Sequence, residues 1–427
     1  LYAVFCGKTG QQVKRAAPGG SGFTLDHYSQ DAFNAYVVPF NNAFKGREGK
    51  IRAVFNDSYE VYGTDFTPKF FEEFQKLRGY DLKKELPILL NETDGEIGNR
   101  IRSDYRQSIG DLLLNKFDKP WTEWAHSKNF KTKLQAHGSP GNLIDLYAAA
   151  DIPECETFGS MPFAIPGFRR EKEDIREGDA DPVMLKFSSS AAHISGKNLV
   201  SSETFTWLRE HFKTALSQCK PEAEDLMLSG INHIFLHGST YSPDRAVWPG
   251  WQFYASVNFN ANNNIWEDAP SLFSYISNCQ SLLQQGKSDN ELLLYWPIFD
   301  TWDKYQKGTL FFEFKIHSLQ EWLHPTTFYA STKNLMNKGY GVDFISDNFI
   351  YEAKVVNGRI NLNGTTFKAL VIPPVKKMPL ATIQKLIELQ KSGAKIIFEG
   401  LPESVPGFND YKKQQQEHQN ILTANSD

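Results

Sequence analysis

The chain is 427 residues long, enough to bury a large core and to hold more than one domain. Its formal net charge of -4 gives no electrostatic reason to expect nucleic acid or an anionic membrane as a partner. No apolar run approaches the roughly 20 residues of a membrane-spanning helix, and Cys6, Cys155, Cys219 and Cys279 are scattered without zinc-ligand or disulfide-framework spacing.

Aromatic residues make up 14% of the chain, with 9 Trp and 17 Tyr, a supply that suits stacking on sugar rings as well as core packing. The first 45 residues read as the tail of an upstream β-rich or inserted segment: a strand-like LYAVF, a basic turn and a Pro-Gly-Gly-Ser-Gly loop. Residues 31–44 have a helical pattern that Pro39 should kink or end. The abrupt start at Leu1 and the polar, Gln-rich stretch 410–427 lead us to expect a fragment of a longer protein.

The stretch IRAVFNDSYEVYG, residues 51–63, is the point around which the rest of the chain is organised. An apolar run ending at Phe55 reads as a buried strand, and Asn56-Asp57-Ser58-Tyr59-Glu60 crowd the point where it ends. Helical patterns come next at 68–78, closed by Gly79, and at 110–128. A strand at 130–136 ends in His137-Gly138, a short helix leads to Pro153-Glu154-Cys155-Glu156-Thr157, and residues 169–181 form a charged loop. A small-residue helix at 184–196 precedes Leu199-Val200-Ser201-Ser202-Glu203, again a short strand ending in a carboxylate. Residues 205–218 and 222–229 look helical, a strand at 231–236 ends in His237-Gly238, and 270–285 is a helix closed by Gly286.

Strand, polar strand end and helix thus recur about five times, which implies a parallel sheet with helical crossovers. No Gly-rich phosphate loop succeeds any strand, so an open nucleotide-binding sheet is disfavoured. Functional groups at every strand end point to the later strands of a (β/α)8 TIM-type barrel over residues 46–288. Residues 289–427 form a second, smaller α/β unit, flavodoxin- or amidotransferase-like. It has strands at 292–297, 342–345, 369–372 and 394–398 and no catalytic Cys or Ser elbow, so its role reads as structural.

In a barrel the strand ends converge on one mouth. Two carboxylates facing each other across it are the minimal equipment for glycoside hydrolysis. Glu60 and Glu203 fall on what count as the fourth and seventh strands, on opposite sides of the mouth. Glu154 and Glu156, two residues apart, share a strand face, and paired hard oxygens of this kind suit calcium. Salt-bridged or capping acids are the competing reading for each Glu. His137 and His237 can donate to sugar hydroxyls, and Tyr241, Trp248 and Trp251 can wall a sugar's apolar face; ordinary core packing competes for each.

Four motifs in order, FNDSYEVYG, AHGSPGNLIDLYAAADIPECETFG, SSAAHISGKNLVSSETFT and HGSTYSP…WPGW, resemble the family 106 glycoside hydrolases, which are bacterial α-L-rhamnosidases. The likeness runs from about residue 20 to about residue 297, more weakly beyond. It implies an inverting, exo-acting, calcium-assisted hydrolase with a TIM-type barrel, acting on rhamnose-containing oligo- or polysaccharides in the periplasm or outside the cell. By the same likeness Glu60 is the general acid with Asp57 beside it, Glu203 the general base, and Glu154 and Glu156 candidates for calcium or substrate contact. Two alternatives stay open: a non-catalytic carbohydrate-binding barrel piece, and an exo-glycosidase of other specificity such as a β-galactosidase-like enzyme.

Overall fold

The computed structural model describes residues 2–14, 16–91, 94–159, 181–208, 210–306 and 310–424. Five short strands, β1 (Ala53–Asn56), β2 (Lys131–Leu134), β3 (Ile152–Glu156), β4 (Ser201–Thr204) and β5 (His233–Leu236), form one all-parallel sheet in sequential order. Each joins its neighbour through a helical crossover, the connection parallel strands require. The sheet curls. Lys133 of β2 places its ammonium 4.0 Å from the ring centroid of Phe55 on β1 and 3.7 Å from that of Phe235 on β5. A flat sheet with about 4.8 Å between strands would hold β5 far out of reach of one lysine. This is a half-barrel, the α/β architecture expected, with Glu60 just past β1 and Glu203 on β4, three strands apart as counted from sequence.

The helices differ more from expectation than the strands do. Residues 31–44 form two helices, Gln30–Tyr36 and Val38–Phe44, divided at Val37, and Pro39 opens the second helix. A proline is tolerated in the first turn because its missing N–H has no intrahelical partner there. Phe70–Arg78 ends at Gly79 in the left-handed conformation, as its sequence signals. The pattern at 110–128 belongs to a longer element: Glu96–Leu113, a π-helical segment Leu114–Asp118, then Lys119–Ser127. Among the described residues no helix spans 205–215. Phe205 and Phe212 have φ of 69° and 62°, and the helix starts at Leu216. The backbone doubles back after β4 because Phe205 N–H donates to Thr157 Oγ1 and Thr206 Oγ1 donates to Glu203. The charged loop expected at 169–181 lies, but for Asp181, outside the described residues.

Beyond residue 289 a second parallel sheet is built from β6 (Leu292–Tyr295), β7 (Val342–Ile345), β11 (Ala369–Ile372) and β12 (Ile396–Phe398), in the order β12-β11-β6-β7. Between β7 and β11 the chain adds an antiparallel sheet of β8 (Lys354–Val356), β9 (Arg359–Leu362) and β10 (Thr365–Phe367), joined by the two-residue turns Asn357-Gly358 and Asn363-Gly364, a local hairpin signal that reading the sequence missed. Within the polar C-terminal stretch, Tyr411–Ala424 is a helix with His418 buried. One hydrophobic core runs from Tyr28 through Phe70, Ile109 and Leu134 to Trp296, Phe344 and Leu386, so both sheets share it. The helix Pro182–Ile194 is the hinge pin of that core, touching both β3 and β7. Its run of serines and alanines permits this, because small side chains let strands approach from two sides.

Candidate active site

The end of β1 is fixed from behind. Asn56 pairs with Leu134, and Tyr59 N–H donates to the His137 carbonyl at 3.2 Å. A Cβ at position 138 would sit 2.3 Å from the Tyr59 carbonyl oxygen, so Gly138 is what lets the two strand ends approach. The Tyr59 hydroxyl donates to buried Asp118 Oδ1 at 2.6 Å, and the π-helical segment delivers that aspartate. With its backbone pinned, residues 57–60 turn Asp57 and Glu60 into a cleft of about 800 Å³.

Glu156 of β3 and Glu203 of β4 are register partners and line the same cleft. Two like charges side by side on neighbouring strands are unfavourable, and one proton resolves the conflict. Burial, then the Glu203 charge, push Glu156 well above the usual carboxylate range. Burial pushes Glu203 up too, but His237, the Thr206 hydroxyl, the Gln135 amide and the hydrogen bond with Glu156 outweigh it and hold Glu203 below that range. The donors are explicit: Thr206 Oγ1 at 2.8 Å from Oε1 and Gln135 Nε2 at 2.9 Å from Oε2. His237 Nε2 lies 3.6 Å from Oε1. Of the pair, Glu156 is therefore the one that favours the proton and Glu203 the one that favours the charge. Asp57 feels both Glu203 and Glu60 and is raised, by desolvation first and then by Glu203, which places it electrostatically between the two acids.

His137 is buried behind Glu156, its Nε2 3.0 Å from Glu156 Oε2 and its Nδ1 2.9 Å from the Tyr147 hydroxyl. Burial lowers its pKa to about 3, so it is neutral and supports Glu156 rather than facing the cleft. Glu154 points to the same interior but is saturated. Lys133 Nζ (2.8 Å) and Ser201 Oγ (2.7 Å) meet Oε2, and Gln135 Nε2 (3.1 Å) meets Oε1. An ammonium ion already occupies the place a cation would take, so Glu154 does not fit as a calcium ligand. Glu156 has no ammonium partner and opens on the cleft, so it is the one of the two that fits. Among the described residues no three His, Cys, Asp or Glu side chains gather to hold a metal ion unaided.

Tyr241, Trp248 and Trp251 do not line the cleft among its described residues. They stand exposed on the loop after β5, Trp248 stacked on Phe212 and Tyr241 edge-on to Trp251. The cleft's aromatic surface comes instead from Phe23, Tyr36, Phe117, Phe158, Phe253 and Tyr254. Reading the sequence missed Gln135, Thr206 and Lys14. The period-2 alternation Lys133, Gln135, His137 was available as a signal for Gln135. Nothing local marked Lys14, which the N-terminal segment brings to Glu60.

Paired carboxylates at the carboxyl ends of a curled parallel sheet are the arrangement of barrel-type glycoside hydrolases. The chain belongs to glycoside hydrolase family 106, the alpha-L-rhamnosidases, whose pattern its residues 5–300 match. It is 27% identical over 416 residues, 94% of its length, to a protein of Formosa agariphila that carries the name "Putative beta-glucuronidase". Among solved structures it resembles a rhamnosidase from Novosphingobium sp. PP1Y, with 22% identity, a TM-score of 0.75 and 96% of this chain covered. A beta-galactosidase from Rahnella sp. R3 shares the fold more distantly, with 10% identity, a TM-score of 0.57, and 89% of this chain and 56% of that chain covered. The chain spans 32% of the Formosa protein and 38% of the Novosphingobium enzyme.

Proposed function

We propose that this chain carries the catalytic carboxylates of an exo-acting, inverting α-L-rhamnosidase. The observation that carries the reading is the division of labour in the cleft: Thr206 and Gln135 donate to Glu203, with His237 nearby, and favour its ionised form, its strand neighbour Glu156 favours the protonated form, and Asp57 and Glu60 line the same cleft from the end of β1. Glu203 takes a proton from a water whose oxygen bonds to the anomeric carbon. The glycosidic C–O bond breaks, and Glu60 gives its proton to the departing oxygen, leaving Glu60 ionised and Glu203 protonated until solvent exchange resets both. Such a pair is expected to lie roughly 6.5–9.5 Å apart, leaving room for the water. His237 is placed to donate to the sugar or to Glu203, and His137 keeps Glu156 in place. A calcium ion could be held by Glu156 only in exchange for the proton on that carboxyl, and it would then draw its other ligands from water and substrate hydroxyls and add positive charge near the reacting sugar.

Family membership supports the sugar, and the carboxylate cluster supports the chemistry. We further infer that the five strands are part of an eight-stranded barrel in the full protein, that residues 289–427 act as a smaller structural flavodoxin-like unit, and that the enzyme works in the periplasm or outside the cell. A β-galactosidase-like or glucuronidase specificity is the second reading, favoured by the fold neighbours and by the name of the Formosa protein. Assaying the full-length protein against p-nitrophenyl α-L-rhamnoside, β-D-galactoside and β-D-glucuronide separates them. The rhamnoside should be cleaved and the other two left intact, and chelation should slow the reaction. Turnover of the galactoside or glucuronide alone would overturn the specificity. An unchanged rate after exhaustive chelation would remove calcium from the scheme.

A further inference from the structure

The N-terminal segment sets one cation into an otherwise acidic cleft. Asp26, Asp57, Glu60, Glu156 and Glu203 line it, and Lys14 is the one lysine or arginine among its described lining residues. Lys14 Nζ lies 2.6 Å from Glu60 Oε2. The segment is built to hold it there: Gln12 bridges Phe23, Val13 N–H donates to the Gly22 carbonyl at 2.9 Å and Thr24 N–H to the Gln11 carbonyl at 3.0 Å. Gln11 Nε2 donates to the Glu60 carbonyl oxygen itself.

Stability does not explain the contact. The two side chains are 53% and 36% exposed, and ion pairs as open as this add little to folding. The contact also conflicts with the role of Glu60 as proton donor, because the ammonium sits on an oxygen by which Glu60 would hand its proton to the departing oxygen. In the productive complex Lys14 needs another partner. The group beside the acid's proton is the aglycone, and among the other described lining residues the acids, Asp26, Asp57, Glu156 and Glu203, outnumber the two histidines, His27 and His237, so an anion is better placed beside Lys14.

We propose that Lys14 is the aglycone-side recognition residue, and that the sugar bonded to the departing oxygen carries an acid group, carboxylate or sulfate, which draws Lys14 away from Glu60. The proposal builds on Glu60 as the acid and names the class of its substrate: a rhamnoside of an acidic sugar. The substrate's own charge then frees the acid for its proton transfer, while a neutral aglycone leaves Lys14 in place.

The test compares three matched disaccharides, rhamnosyl-glucose, rhamnosyl-glucuronate and rhamnosyl-glucose 6-sulfate, on the full-length protein and on Lys14→Gln. Preference for at least one acidic substrate of ~10-fold in kcat/KM is expected, shrinking with added salt and falling towards parity in Lys14→Gln. Which acid is preferred distinguishes carboxylate from sulfate. No preference for either acid, or a preference that survives in Lys14→Gln, overturns the proposal. If no rhamnoside is cleaved, it is the proposed reaction that fails, and calorimetric affinities for the same three sugars decide the role of Lys14 by the same ratio.

Discussion

Glu203 shows how much of a carboxylate's behaviour is set by its neighbours. Buried acids ordinarily drift upward in pKa, yet His237, Thr206, Gln135 and Glu156 reverse the direction here. Glu203→Gln should lower kcat by about 10²–10⁴-fold, the usual worth of a positioned acid or base, with the fold intact by circular dichroism. Near-normal turnover in that variant would exclude it as the base. Thr206→Val removes one donor without changing shape, so Glu203 should protonate more easily and the acid limb of the kcat/KM profile should move to higher pH. An unmoved limb would mean that another group sets it. The residue types at the strand ends were legible because a polar cluster after an apolar run is conspicuous in any sequence. Their partners were not: Glu154 could be told from Glu156 only once Lys133 was seen to reach over and saturate it.

At the scale of elements, the loop that carries Asp57 and Glu60 depends on a helix far along the chain. The π-helical turn Leu114–Asp118 rotates Asp118 into the core, where it accepts from Tyr59. Burial raises Asp118 to about 8. An acid whose folded pKa is above its unfolded value binds its proton more tightly when folded. Its contribution to stability is therefore greatest below about pH 4, falls as pH rises towards 8, and is level beyond that. Asn mimics the neutral acid, so Asp118→Asn should flatten this part of the pH dependence, with the wild type losing on the order of a few kcal/mol more than the variant between pH 5 and 8. Parallel denaturation curves for the two proteins would show that Asp118 does not titrate in this range. Strand positions could be read from sequence because apolar runs and period 2 are local signals. The π-helical segment and the non-helical backbone of the described residues in 205–215 could not, since each depends on contacts distant in sequence, such as Phe205 with Thr157, whereas the hairpins β8–β10 are local and their Asn-Gly turns were open to reading.

The two sheets act as one body. Asp343 of β7 is fully buried and meets His193 Nδ1 at 3.0 Å and Lys186 Nζ at 4.0 Å, both from the helix that also packs on β3. Burial alone would raise Asp343, but His193 first, then Lys186 and a hydrogen bond from Asn290, outweigh it and lower it. Its contribution is therefore present above the usual unfolded value near 4 and is lost as pH falls through the lower folded value. Asp343→Asn leaves Lys186 without its counter-charge and should cost about 3–5 kcal/mol. Because the sheets share a core, amide exchange should rise together in the segments around β3 and β7. Faster exchange confined to β7 would show that the sheets are energetically separate. The half-barrel was foreseeable from the alternation of strand and helix, whereas the single core joining it to residues 289–427 was visible only when the serine- and alanine-rich helix was seen to touch both sheets. The most direct test of the proposed reaction is proton NMR of the full-length protein hydrolysing an α-L-rhamnoside, recorded from the first minutes. β-L-Rhamnose should appear first and mutarotate later, as attack by a water bound to Glu203 requires. Initial release of the α anomer would instead mean a covalent intermediate and would contradict Glu203 as a base acting through water.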